Sequence, residues 1–292
     1  MRITDAQMHE PAPWADWTGE SKALQHRLLI ETVAAYLDAL GIDRTVIFPA
    51  DESFAPVAAA AMPHRFTYVP HVAPEEEDLD RFVGAAKDRR AQGQVGLRAI
   101  LGWPLDGREI KRLDEGAWEP VFAACEHHRV PLFCMITGDT PKAGGIAERY
   151  PGLTLIVDHL GLRQPPMDER EPEPFARLPE LLALARYPNI AVKLCGLPSL
   201  SKQSYPYPDS AQALRQIVDA FGAGRLMWAS DSSRFNGRFG IGRMEIPNAL
   251  VPYPGKHSHA EALMFIRESP VLSDEEKRLI LGGAAEKILG WP

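Results

Sequence analysis

Cysteine is scarce in this sequence: three in 292 residues, Cys125, Cys134 and Cys195, with no Cys-x-x-Cys spacing. An odd, scattered set excludes a disulfide framework and a zinc ribbon, and it suits a reducing compartment. Long apolar runs are also missing. None approaches the roughly 18 residues that a membrane span needs. Positive charge is not in excess, since 32 Lys and Arg face 39 Asp and Glu for a net charge of -7. That balance argues against a nucleic-acid partner, because phosphate binding wants a basic stripe. The opening residues MRITDAQMHE lack the basic-then-apolar pattern of a signal peptide. The expectation is a cytoplasmic protein with no membrane and no nucleic-acid partner.

What is present is a repeating order of short apolar runs, each followed by a helical pattern. The candidate strands are Arg2 to Thr4, Arg44 to Phe48, Phe66 to Val69, Val95 to Ile100, Val130 to Ile136, Thr154 to Val157, Ile190 to Leu194 and Arg225 to Trp228. Most are continuously apolar, as expected of parallel strands covered on both faces. Between them, Leu29, Val33, Tyr36, Leu37 and Leu40 share one face of a helix that Gly41 stops. Leu214, Ile217, Val218 and Phe221 do the same behind an Asp209-Ser210 start. Ser273 and Glu276 read as a capping box. Eight such units fit an α/β fold of one (β/α)8 TIM barrel, expected as a single domain over 1–292. An open doubly wound sheet would usually carry a Gly-rich nucleotide turn after its first strand. Here that place holds Asp-Ala-Gln-Met-His, without glycine.

Long segments at 10–21, 161–174, 197–208 and 232–257 all follow strands. In a barrel these connections share the carboxyl face, where barrel active sites lie. The last of them reads equally as a lid or as an ordered surface excursion. The strand ends deliver chemistry to that face: Gln7 and His9, His71, Arg98, Thr137, Asp158 and His159, Lys193, then Ser230 and Asp231. Any one of these could be a capped turn. Repeated apolar strands running into His, Asp, Arg and Lys at one end point to a convergent polar site.

The motifs DAQMH at 5–9, IVDHLG at 156–161, AVKLCG at 191–196, WASDSSR at 228–234 and GGAAEKILGW at 282–291 resemble the amidohydrolase-related family over nearly the whole chain. Within it the resemblance is to the lactonase-like branch, which includes pyrone-dicarboxylate and sugar-acid lactonases; the wider family also holds non-oxidative decarboxylases. The resemblance implies that His159 and Asp231 match the strand-six and strand-eight metal-facing positions. The chain departs from the family in two places. The His-x-His of the first strand is Gln7-Met8-His9, and strand five has no histidine. His9, His159 and Asp231 remain as a three-ligand set for a metal, but Gln7 is a poor zinc ligand. The expected cofactor is therefore none, or one weakly bound divalent metal such as zinc.

The resemblance implies hydrolysis of a lactone or similar activated ester by water. Asp231 would be the general base, with His9 and His159 as oxyanion donors and Gln7 as an auxiliary. Arg98 and Lys193 suggest a small anionic organic substrate, with an internal salt bridge as the competing reading for Arg98. His71, Tyr205 and Arg234 join the substrate-binding candidates, and Tyr207 and Trp228 lie near enough in sequence to help wall a ring. His257 and His259 read as helix-start polarity. His26, His64, His127 and His128 read as surface residues, and Pro165 to Pro174 as a solvated loop. Two other functions stay open. One is a metal-dependent decarboxylase of an aromatic or related acid. The other is a barrel that binds without catalysis. The sequence leaves room for a homo-oligomer.

Overall fold

The computed structural model describes residues 1–9, 22–49, 54–102, 107–163, 171–232 and 257–291. Eight parallel strands form: β1 (Thr4–Met8), β2 (Arg44–Ile47), β3 (Phe66–Tyr68), β4 (Leu97–Ile100), β5 (Leu132–Met135), β6 (Leu155–Val157), β7 (Ile190–Cys195) and β8 (Leu226–Ala229). They run in sequence order as β1-β2-β3 and β4-β5-β6-β7-β8. Two seams join these sheets into a barrel. Between β3 and β4, parallel bridges pair Tyr68 with Gln94 and His71 with Arg98. Between β8 and β1, the Asp231 amide donates to the Gln7 carbonyl at 2.9 Å.

The helices are α1 (Lys22–Leu40), α2 (Phe54–Ala61), α3 (Leu79–Asp88), α4 (Arg108–Asp114), α5 (Glu119–His128), α6 (Pro141–Arg149), α7 (Leu178–Ala183), α8 (Leu197–Leu200), α9 (Pro208–Phe221), α10 (His259–Arg267), α11 (Asp274–Arg278) and α12 (Ala284–Leu289). The start of α9 lies one residue before the expected Asp209-Ser210 cap, since Pro208 is preorganised for the first helical turn. Asp209 instead accepts from the Lys202 amide of the preceding chain and from the Ser210 amide within the helix, both at 2.9 Å. Segment 197–208, expected as a loop, opens with the one-turn α8 and contains a cis Tyr205–Pro206 bond. The Ser273–Glu276 capping box starts α11 as the sequence indicates, and a second box, Ser258 with Glu261, starts α10. Residues 10–21, half of 161–174 (164–170) and nearly all of 232–257 fall outside the described residues, as does Arg234.

Two apolar layers result. The larger lies between strands and helices and includes Leu37, Ile47, Leu97, Leu132, Leu194, Leu214 and Trp228. The smaller fills the barrel lumen with Ala6, Val46, Phe48, Val69, Val95, Phe133, Ile156, Ala191, Cys195, Met227 and Ala229. Ala284, Ala285, Leu289 and Trp291 close onto this second layer. The GGAAEKILGW motif owes its first glycine to that closure, because a Cβ on Gly282 would stand 2.4 Å from the Arg2 carbonyl oxygen. Arg44 lies over the Trp291 ring at 4.9 Å. Among the described residues no helix is long and apolar enough to cross a membrane.

Candidate active site

β1 begins two residues later than the sequence suggests, and the shift brings Asp5, Ala6 and Gln7 into the strand. Its pairing with β2 is irregular between Asp5 and Met8, where extra backbone re-aims the side chains. Asp5 is fully buried. One of its oxygens accepts from the backbone amides of Gln7 (3.2 Å) and Ser230 (2.8 Å). The other accepts from the Ser230 hydroxyl and lies 3.3 Å from Nε2 of His259. Asp5 thus clamps the end of β8 against β1, one residue before Asp231.

Gln7 is also fully buried, and its amide orientation is fixed from both sides. Lys193 donates its ammonium to Oε1, so the carboxamide must present Nε2 to Asp231, whose Oδ1 accepts at 3.1 Å. His9 reaches the same carboxylate, with Nε2 3.3 Å from Asp231 Oδ1. Its Nδ1 lies 2.8 Å from the Phe48 carbonyl. A carbonyl only accepts, so Nδ1 carries a proton. Nε2 then holds a lone pair in the neutral ring, or a second proton aimed at Asp231 in the imidazolium.

His159 completes the group, with Nδ1 3.9 Å from Asp231 Oδ2. Both residues occupy left-handed backbone, at φ 51° in each case. A non-glycine residue there costs of order 1 kcal/mol or more, and such outliers cluster at functional sites. At the end of β6 the left-handed run continues through Leu160 to Gly161, at φ 65°. Only glycine fits there, since a Cβ would lie 2.4 Å from the Thr140 hydroxyl oxygen. The turn turns the His159 imidazole toward Asp231 instead of along the strand.

Beneath these groups lies a buried ion network. Asp158, fully buried, takes Arg98 Nε at 2.9 Å and Lys193 Nζ at 2.7 Å on its two oxygens. Burial alone would raise the Asp158 carboxyl, but Lys193 and Arg98 overcome it and hold the group at about 2. Burial pulls Lys193 below the ordinary lysine range, with Asp158 opposing. Two cations within 3 Å of one carboxylate favour the ionised network. Both cations expected to meet an anionic substrate therefore have an internal partner. The Lys193 ammonium also stacks over Phe48 at 3.8 Å.

His71 sits at the same end, bridged to Arg98 through its backbone. Desolvation, then Arg98 and His9, push its imidazole down to about 4. It is neutral at neutral pH, so it can accept a proton or hydrogen bond but adds no charge. An NMR titration should place the His71 midpoint near 4 instead of the usual 6.5, and Arg98→Met should move it upward. A midpoint at 6.5 in the parent would show that His71 is solvated and away from the cations.

Other candidates land elsewhere. Trp228 and Tyr207 belong to the layer between strands and helices and are buried there. Trp228 donates its indole N–H outward to the Ala262 carbonyl at 3.2 Å. Tyr205 is 42% exposed and meets Tyr207 edge-on. His257 and His259 are buried, not merely polar helix-start residues; the start signal of α10 is Ser258 with Glu261. His26 is only half-buried, packed edge-on against Phe54, and His128 pairs with Asp80 at 2.9 Å. Two buried residues that sequence reasoning passed over, Asp5 and Cys195, lie within the site. Cys195 is two residues beyond Lys193 on β7 and shares its inward face.

A family model described as "Amidohydrolase" matches residues 4–291. The chain belongs to the amidohydrolase family. An L-fucono-1,5-lactonase of Burkholderia ambifaria is 32% identical over 151 residues, covering 50% of this amidohydrolase and 49% of that protein. The chain thus matches about half the length of that relative. A 4-sulfomuconolactone hydrolase of Hydrogenophaga intermedia is 28% identical over 227 residues, or 74% and 69% of the two chains. In fold the amidohydrolase is similar to an amidohydrolase from Burkholderia multivorans solved with bound zinc, at TM-score 0.68 and 20% identity over the whole of both chains.

That zinc raises the question of fit. At the first-strand position this amidohydrolase offers no ligand, because Gln7 Oε1 is taken by Lys193 and its N–H points at Asp231. A buried ammonium beside that position also repels a cation. Among the described residues, His159, Cys195 and Asp231 are the group of three whose donor atoms all lie within 4.8 Å of one another. This differs from the expected set of His9, His159 and Asp231 by exchanging His9 for the thiol.

Proposed function

We propose that the chain, acting as one barrel domain, hydrolyses the lactone of a small carboxylated substrate. The observation that carries this is the single carboxylate of Asp231, shared by Gln7 and His9 on one oxygen and facing His159 with the other. That arrangement leaves Oδ2 to take the proton of an attacking water, while Gln7 and His9 hold Oδ1 still. In this reading His159 donates to the oxyanion that forms on the lactone carbonyl, and His9, whose two ring nitrogens are taken by Phe48 and Asp231, holds the base instead. Asp231 then returns its proton to the ring oxygen as the C–O bond breaks. Arg98 and Lys193 exceed Asp158 by one charge, while Asp5 and Asp231 are negative, so in this reading a substrate carboxylate lies on the Arg98 side and the lactone carbonyl beside Asp231. A divalent cation held by His159, Cys195 and Asp231 would add Lewis-acid polarisation of the carbonyl. Both curated relatives are named for lactone hydrolysis, and the family match spans nearly the whole chain.

The test is acid release from a panel of five- and six-membered lactones, each as an anionic and a neutral member. The expected result is ring opening with kcat/KM at least about tenfold higher for the anionic member of a pair, the worth of one charge-assisted hydrogen bond. A panel without turnover overturns the lactonase reading. Equal rates within every pair overturn the carboxylate assignment alone.

A further inference from the structure

We infer that His259 is a positioning residue for the hydrolytic base, acting through Asp5 on the backbone that carries Asp231. His259 is the first residue of α10, and the Ser258–Glu261 capping box fixes that helix start. Its buried imidazole lies between the Tyr36 ring of α1, at 5.6 Å, and the Trp228 ring of β8, at 6.1 Å. Trp228 in turn donates to the Ala262 carbonyl in the first turn of α10, which ties the helix to the strand. A ring held from both sides restrains the group it faces. That group is Asp5, whose Oδ2 stands 3.3 Å from His259 Nε2. A carboxylate oxygen only accepts, so an imidazole proton belongs on that nitrogen. Asp5 is fully buried, and His259 is the one basic side chain paired with it among the described residues. What Asp5 holds is the frame of the base. Its Oδ1 accepts from the Ser230 amide at 2.8 Å and the Gln7 amide at 3.2 Å. Asp231 follows Ser230 directly. Gln7 takes the Asp231 amide on its backbone carbonyl at 2.9 Å and donates its side-chain amide to Asp231 Oδ1 at 3.1 Å. Both supports of Asp231 therefore depend on one carboxylate, and Oδ2 of that carboxylate has two holders, the Ser230 hydroxyl and His259. Without His259 the Asp5 carboxylate can turn, and Ser230 and Gln7 shift with it. A reacting group misplaced by about 1 Å can cost roughly 10²-fold in rate. His259 packs on Trp228 in the layer between strands and helices, so it acts from behind the strand ends and not from the lumen.

The kinetic consequence rests on the hydrolytic reading above; the order of the Ser230 and Asp231 amides does not. Three variants separate the Nε2 contact from bulk. Gln sets an N–H where Nε2 stands, Asn sets one nearer the backbone at the place of Nδ1, and Phe fills the space without a donor. In His259→Phe, kcat for lactone opening should fall by roughly 10–100-fold. KM should change by less than about twofold, since the lost effect belongs to the transition state. His259→Gln should recover most of kcat, and His259→Asn should not. Amide hydrogen exchange read by NMR should accelerate at least about tenfold at Ser230 and Asp231 in the Phe and Asn variants, because the opening is local. It should stay at the parent rate in His259→Gln, and in β5 of every variant. If His259→Phe does not fold, Gln against Asn carries the same contrast. Equal kcat in the Gln and Asn variants, or exchange that rises in β5 as much as at Ser230, makes His259 a packing residue and overturns the role. A parent that opens no lactone yet shows the local exchange contrast removes the lactonase reading alone. A parent that turns over, with variants that show neither contrast, removes the role of His259 alone.

Discussion

Asp231→Asn should lower turnover by roughly two to four orders of magnitude while the fold persists, the usual worth of a general base. The substitution is unusually clean at this position. Asn keeps the oxygen that accepts from Gln7 at 3.1 Å and loses the second, basic oxygen that faces His159. Asn is also among the few residues that tolerate left-handed backbone, so the φ of 51° at position 231 is retained without new strain. Asp231→Ala would lack that tolerance and would mix strain with lost chemistry. The measurement pairs kcat on an active lactone with a denaturant unfolding curve. His159→Asn should lose rate through weaker oxyanion stabilisation. The double variant should therefore lose less than the product of the two single losses, because both act on one step. Near-normal turnover in a well-folded Asp231→Asn protein would remove Asp231 as the base and leave the family membership as a statement about ancestry and fold.

Lys193→Met should destabilise the protein by about 3–5 kcal/mol, the cost of breaking a buried ion pair from one side. Lys193 has no exposed surface. Its removal leaves one oxygen of Asp158 without a cation and frees the Gln7 carbonyl oxygen in a dry lumen. Replacing Asp158 by Asn in the same chain should recover part of the loss, since the uncompensated charge leaves with it. Denaturant midpoints at constant slope measure both. A Lys193→Met variant as stable as the parent would mean the ammonium is not held by the network and serves the substrate alone. The pH dependence has a definite sign. The Asp158 carboxyl is depressed to about 2, so its stabilisation is complete above the ordinary value of 3.8 and is lost as pH falls toward 2. Between pH 7 and 4 the network contributes a constant amount.

The strands were legible because parallel strands in a barrel are buried on both faces and so read as apolar runs. β1 was the exception. Its residues Thr4–Met8 include Asp and Gln, which resemble a loop in sequence. They are tolerated inside only because Ser230 and Lys193 satisfy them from 225 and 186 residues away, and no local pattern carries that information. The polar residues at the strand ends were legible individually, and the structure gathers His9, His159 and Asp231 around one carboxylate. Their partners were harder to see. Arg98 and Lys193 suggested substrate cations, with a salt bridge as the alternative for Arg98, because no local pattern joins either of them to Asp158, one polar strand end among several. Cys195 had a usable signal. Residues two apart on a strand share a face, so an inward Lys193 predicts an inward Cys195. The buried state of His259 had none, since it depends on Asp5 across the closing seam of the barrel.

That closing seam also governs how the molecule can be made. Arg2 meets Glu286, Gly282 lies on the backbone of Arg2, and Ser230 bonds to Asp5 across 225 positions of chain. Contacts so far apart in sequence return nothing until the intervening chain is ordered, so they form late and slowly. Asp231 takes its orientation from residues 5 to 9, and a chain that has assembled seven of its eight units has no oriented base at all. Premature chemistry on a nascent or half-refolded chain is thereby excluded. During refolding, activity should appear after helical structure has returned, because it depends on the last seam to close.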